Sequence, residues 1–183
     1  VRVVVETHAD DAYLSVGSFL RDWAGGDPLM LVTVFSGTRD RARDAARYAD
    51  EVGAEWVGLG LVEAEPGNAD GEADLPGVAD DLAKLAGSAG VVMVGPLGLG
   101  HPEHRGVAAA LPEAALRYVD LPVAGRRKTR SELAARTVGR TVDALRIATA
   151  RDFDCHDLFR DQARFMFYNP PKALAGLPQV VLR

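Results

Sequence analysis

With only one cysteine, Cys155, in 183 residues, no disulfide can close within the chain, and a reducing compartment is the simpler expectation. Basic charge is not in excess. Lys and Arg number 21 against 26 Asp and Glu, a formal net charge of −5, which gives no support to binding that works by neutralising nucleic-acid phosphates. No apolar run approaches the roughly 20 residues needed to span a bilayer. No charged n-region and apolar h-region precede the strand-like start at Val1, so a signal peptide is not expected and a cytoplasmic protein is. Repeats and composition-marked linkers are also missing, so residues 1–183 are expected to form one domain. Nothing in the sequence speaks against a homo-oligomer.

What remains is an ordinary globular composition, 48% apolar and 26% charged, organised as alternating strand and helix signals. Val3, Val4 and Val5 form a continuous apolar run, as expected of a strand covered on both faces. Val16, Phe19, Leu20 and Trp23 then recur at helical spacing until Gly25-Gly26. "LMLVTVF" (29–35) reads as a second buried strand, and Ala42, Ala45, Ala46, Ala49 and Val52 as a helical stripe ended by Gly53. "EWVGLGL" (55–61) reads as a third strand and the acidic, Gly- and Pro-rich 63–77 as a solvated loop. A short helix carrying Val78, Leu82, Leu85 and Ala86 precedes a fourth strand, "VVMV" (91–94). A helix from about Pro102 to Leu111 turns Val107, Ala108 and Leu111 inward, and 116–122 is a strand candidate. Ala134, Val138, Thr141, Val142 and Leu145 predict a long helix near 131–149, and "QVVL" (179–182) a last strand. This alternation predicts a three-layer, Rossmann-like α/β fold, a mostly parallel sheet with helices on both faces.

Ligands in such sheets sit outside the carboxyl ends of the strands. Three of the four histidines fall in two polar clusters at that rim. His8, Asp10 and Asp11 follow the first strand, and His101 and His104, in "GHPEHRG" (100–106), follow the fourth. If those strands are neighbours, the clusters converge. His8 and Asp11, three apart at a helix start, can share a face and bind a cation, leaving Asp10 free to accept a proton. One of His101 and His104 could complete a three-ligand set of the kind a catalytic zinc uses. The competing reading is that these residues only cap helices, since Asp accepts N–H bonds at such junctions. Two clusters on one rim favour the metal.

The pair "HADDAYLSVG" and "HPEHRG" resembles the LmbE-like, PIG-L family of zinc-dependent N-deacetylases, which carries H-P-D-D-E after its first strand and H-P-D-H after a later one. "RARDAARYADEVGA" (41–54) is similar to the family's R-x-x-E helix, with Arg41 and Asp44 at the paired positions, and "LRYVDLPVA" (116–124) to the segment after the second motif. The resemblance implies an LmbE-like fold with one Zn²⁺ per chain on His8, Asp11 and His104, although a His-His-carboxylate set accepts other divalent ions. It implies Asp10 as general base, and His101 as the group that stabilises the oxyanion or protonates the leaving amine. The substrate implied is a small N-acetyl sugar or glycoconjugate. Three positions depart from the motifs: Ala9 for Pro, Ala12 for Glu, and Glu103 for Asp. Glu103 keeps the charge on a longer arm, which puts an orienting role in question. Ala12 and Glu103 together motivate the alternative of a non-catalytic relative that retains a metal- or sugar-binding pocket.

Other features have plainer readings. Ser36 and Thr38 end the second strand at the same rim, one as a substrate contact and one as the next helix's cap. Arg41 and Asp44 read either as substrate contacts or as an i, i+3 pair. "GRRKTR" (125–130) reads as a solvated turn, and Cys155-His156 as packing or surface. "GPLGLG" lacks the spacing and the position of a dinucleotide fingerprint, which argues against a nucleotide-binding domain.

Overall fold

Valines at 3, 4 and 5 are all buried, those at 3 and 5 against one face of a sheet and that at 4 against the other, so both faces of the first strand are covered. A computed structural model describes residues 1–23, 25–63, 75, 77–121, 130–147 and 178–183. In chain order these form β1 (Arg2–Glu6), α1 (Asp11–Trp23), β2 (Leu29–Thr33), α2 (Arg39–Val52), β3 (Ala54–Gly58), α3 (Val78–Ala86), β4 (Val92–Pro96), α4 (Pro102–Ala110), β5 (Leu116–Tyr118), α5 (Arg130–Thr137), β6 (Val142–Ile147) and β7 (Pro178–Leu182). Among the described residues the sheet has seven strands in the order β3-β2-β1-β4-β5-β7-β6. The first five run parallel, and β7 pairs antiparallel with both β5 and β6. The three-layer expectation holds.

Two apolar layers flank the sheet. Tyr13, Leu14, Val16 and Leu20 of α1 pack with Ala45, Tyr48 and Ala49 of α2 over Val4, Leu31 and Val94. Val78 and Leu82 of α3 and Val107 of α4 cover Val3, Val5, Val32 and Met93 on the opposite face. No helix among the described residues is long and apolar enough to cross a membrane.

Three expectations need correction. The long helix near 131–149 is instead α5, which stops at Thr137, followed by the edge strand β6. Gly139, at φ 76°, turns the chain there, and Val138, Val142 and Leu145 are 80%, 60% and 56% exposed rather than lining a helix–core contact. The third strand ends at Gly58, before Gly60 takes φ 76°. The strand candidate at 116–122 is only three residues long. Most of the acidic loop (64–74), residues 125–129 of the basic stretch, and Cys155-His156 lie outside the described residues.

β1 and β4 are adjacent and parallel, with Val4 opposite Val94. The sheet order therefore reverses direction between them, and their carboxyl ends open into one crevice.

Candidate metal centre

Each wall of the crevice is a short strand-to-helix turn. After β1, the Asp11 N–H donates to the His8 carbonyl at 3.1 Å, and the His8 N–H donates to Asp11 Oδ2 at 2.8 Å. This reciprocal pair points both side chains the same way. After β4, the chain turns through Gly98 at φ 84°, where a Cβ would stand 2.5 Å from that of Ala108. Only glycine meets both demands. His101 then caps α4 with Nδ1 accepting the Glu103 N–H at 3.4 Å, and Pro102 occupies the first helical position, where its missing N–H costs nothing.

The two turns bring His8, Asp11 and His104 together, with one ligand atom of each within 4.8 Å of the others. His8 Nδ1 and His104 Nε2 lie 3.4 and 3.5 Å from the same oxygen, Asp11 Oδ2. The outer nitrogens are committed elsewhere. His8 Nε2 donates to Glu103 Oε2 at 2.9 Å and His104 Nδ1 to Asp120 Oδ1 at 3.0 Å. Because an ionised carboxylate only accepts, these bonds fix which nitrogen of each ring faces Asp11. Asp120 is itself clamped by the Gly98 and Leu99 N–H groups at 2.9 and 3.2 Å.

Electrostatics favour a cation here. Asp10, Asp11, Glu103 and Asp120 are all buried, as is Glu6; burial pushes the carboxyls of Asp120 and, further, Glu6 up. Burial pushes Asp10 up to about 6; the adjacent Asp11 charge adds to this and Arg41 opposes it. Burial also works against ionisation of Asp11, but His104 and His8 hold it below the usual carboxylate range. Burial opposes charge on His8, yet Asp11 and Glu103 outweigh it and hold the ring up to about 10. His104 is raised too, with Asp11 and Asp120 overcoming burial. His101, at the rim, is lowered by burial and by the two neighbouring imidazoles, against the pull of Glu103. Two imidazoles and a carboxylate, each ring held from behind by a carboxylate, match the donor set and supporting shell of a catalytic zinc.

No family model and no curated protein sequence matches the chain. Solved structures do. The zinc-inhibited form of teicoplanin deacetylase Orf2 superposes with a TM-score of 0.66 at 16% identity, covering 92% of this chain and 87% of that one. N,N'-diacetylchitobiose deacetylase from Pyrococcus horikoshii gives 0.55 at 15% identity, covering 100% and 83%. The chain has the LmbE-like fold. That fold does not by itself fix one reaction. A 4-carboxy-2-hydroxymuconate hydratase, GalB from Pseudomonas putida, also superposes, at 0.54 and 13% identity over 90% and 83%.

Within the LmbE-like frame, the residues expected at the site fall at different depths. His8, Asp11 and His104 form the grouping, Asp10 is buried close enough to feel the charges of Asp11 and His8, and His101 is 56% exposed with its ring 6.3 Å from that of His8. Arg41 has Nε 2.7 Å from Glu63 Oε1 and Nη1 3.8 Å from Asp10 Oδ1. Asp44 is buried and takes Arg43 at 3.1 Å. Ser36 accepts the Gly60 N–H at 2.9 Å, and Thr38 is the cap of α2. Glu103, whose longer arm put an orienting role in question, reaches His8. Sequence reasoning missed Asp120. It lies inside the "LRYVDLPVA" segment, but a lone Asp sixteen residues beyond His104 carries no spacing signal of its own.

Proposed function

We propose that the chain is a zinc-dependent hydrolase that removes an N-acetyl (acyl) group from an amino sugar or a sugar-containing metabolite. One observation carries this reading: the His8–Asp11–His104 grouping, with both outer ring nitrogens bonded to buried carboxylates and a further carboxylate, Asp10, beside it. The likeness to two deacetylases, one of them acting on diacetylchitobiose, supports the acyl and sugar parts of the reading.

His8, Asp11 and His104 would hold the ion. When bound, a divalent ion supplies Lewis-acid polarisation of the acyl carbonyl and acidifies water. Asp10, held near 6, is mostly ionised at neutral pH and basic enough to take the proton of the attacking water. That proton then passes to the departing amine, so that a carboxylate and a free amine result. His101 Nδ1 lies 3.4 Å from both the Glu103 amide nitrogen and Glu103 Oε2, which leaves Nε2 as the nitrogen turned to a substrate. At the rim, with its proton on Nε2, it would donate that N–H to the developing oxyanion. Such a donor is typically worth roughly 3 to 4 kcal/mol. Of the three substrate-contact candidates, Arg41 is best placed, because its guanidinium, held by Glu63, lies 3.8 Å from Asp10, whereas Asp44 takes Arg43 and Ser36 takes the Gly60 N–H.

The alternative of a non-catalytic relative loses one of its motives, since Glu103 is engaged with His8 and Asp10 is retained. Elemental analysis of the purified chain should give near one zinc per molecule, and N-acetylglucosamine derivatives should release acetate. Asp10→Asn should keep the zinc while turnover falls about 10²–10⁴-fold, the usual span for a positioned base. A chain that takes up no zinc sinks the proposal. Undiminished turnover in the variant removes Asp10 from it.

A further inference from the structure

Helix α1 leaves an unusual question at its first turn. The Asp10 carbonyl accepts the Leu14 N–H at 2.9 Å, the first bond of the helix, so Asp10 stands at the capping position. An aspartate there ordinarily turns its carboxylate back onto an N–H two or three residues ahead. Here the Ala12 N–H donates instead to Glu6 Oε2 at 3.2 Å, across the strand-to-helix turn.

Glu6 is wholly buried and is braced from behind. Trp56 Nε1 of β3 donates to Thr33 Oγ1 at 3.0 Å, and that hydroxyl of β2 donates to Glu6 Oε1 at 2.7 Å. The line crosses three neighbouring strands and ends on the helix. Burying a carboxyl group is costly unless it is bonded, and both Glu6 oxygens are bonded. The position matters as well. The motif that this segment resembles carries an acid where this chain has Ala12, and the Glu6 carboxylate arrives at the Ala12 amide.

We propose that Glu6 is a positioning residue: by accepting the Ala12 N–H from the end of β1, it takes over the capping of α1 and frees the Asp10 carboxylate to face the metal centre. This rests on the deacetylase reading for its consequence in turnover, though not for its geometry. A glutamate serves where an apolar residue would not. Without that acceptor, the Asp10 carboxylate, at the capping position, would take the amide as a capping aspartate ordinarily does, and would leave the site to do so.

The test compares Glu6→Met, similar in size but without an acceptor, with Glu6→Gln, whose amide oxygen can still take the Ala12 N–H. A crystal structure of the Met variant should show Asp10 rotated onto the Ala12 amide, and zinc content by elemental analysis should stay at the parent level. Turnover of an N-acetylglucosamine derivative should fall about 10–100-fold in kcat, the span typical of supporting residues, with little change in KM. The Gln variant should leave Asp10 in place and kcat unchanged. Asp10 unmoved in the Met variant, or equal losses in both variants, overturns the proposal. If the parent binds zinc yet turns over no N-acetyl sugar, the deacetylase reading falls, while the Asp10 orientation still decides the role of Glu6.

Discussion

His8 and His104 each give one ring nitrogen to a buried carboxylate and turn the other toward Asp11. That division of labour is what suits the grouping to holding an ion and sets it apart from a chance meeting of polar groups. It holds each ring in one orientation and one tautomer and raises its basicity. Glu103→Ala and Asp120→Ala should each weaken zinc binding about 10–100-fold, the usual effect of removing such a support. Competition with a chromogenic chelator measures this. Glu103→Gln retains an acceptor oxygen for His8 and should recover most of the loss. Equal zinc affinity in all four proteins would show that the carboxylates do not hold the rings.

Elements place these residues, and they differ in how legible they were. β1, β2, α2 and β4 announced themselves through continuous valine-rich runs and through alanine stripes closed by glycine, since burial on a known face writes a period into the sequence. The histidine and aspartate clusters were legible for a related reason: each stands directly after such a run, and strand adjacency then brought them together. α5 and β6 were misread because Ala134, Val138, Val142 and Leu145 fit a helical period while facing solvent; at an exposed edge, burial imposes no period to read. Asp120 and Glu6 were illegible because their roles depend on contacts 16 and 27 residues away in sequence, with His104 and Thr33. The turn after β4 shows how closely element geometry and site are tied. Gly98 lies at φ 84°, its N–H holds Asp120, and a Cβ there would strike Ala108. Gly98→Ala should therefore destabilise the chain by more than the roughly 1–2 kcal/mol of left-handed strain alone. It should also lower zinc affinity, because Asp120 loses its clamp. A melt combined with the chelator titration reads both; a lower melting temperature with unaltered zinc affinity would detach the turn from the site.

At the scale of the whole molecule, the proposed zinc centre would couple metal, protons and stability. His8 has its folded pKa raised from 6.5 to about 10, so the stability tied to its charge is fully present below about 6.5 and is lost as pH rises toward 10. Asp10, raised from 3.8 to about 6, loses its share of stability lower down, between about pH 3.8 and 6, and is ionised in both states above that, so the change between pH 6.5 and 9 belongs to His8. The metal-free chain should thus melt at lower temperature at pH 9 than at pH 6.5. Zinc acts oppositely, because it must displace the His8 proton; its apparent affinity should climb by up to about tenfold per pH unit for each proton released. Saturating zinc at about 1,000 times its Kd stabilises a folded state by about 4 kcal/mol. For a domain of this size, that amounts to about 8–16 °C in melting temperature, at about 2–4 °C per kcal/mol. Melting curves with and without zinc, taken at pH 6.5 and pH 8.5, should therefore diverge more at the higher pH. An increment independent of pH would mean that zinc does not compete with a proton on His8, and would move the ion away from this histidine.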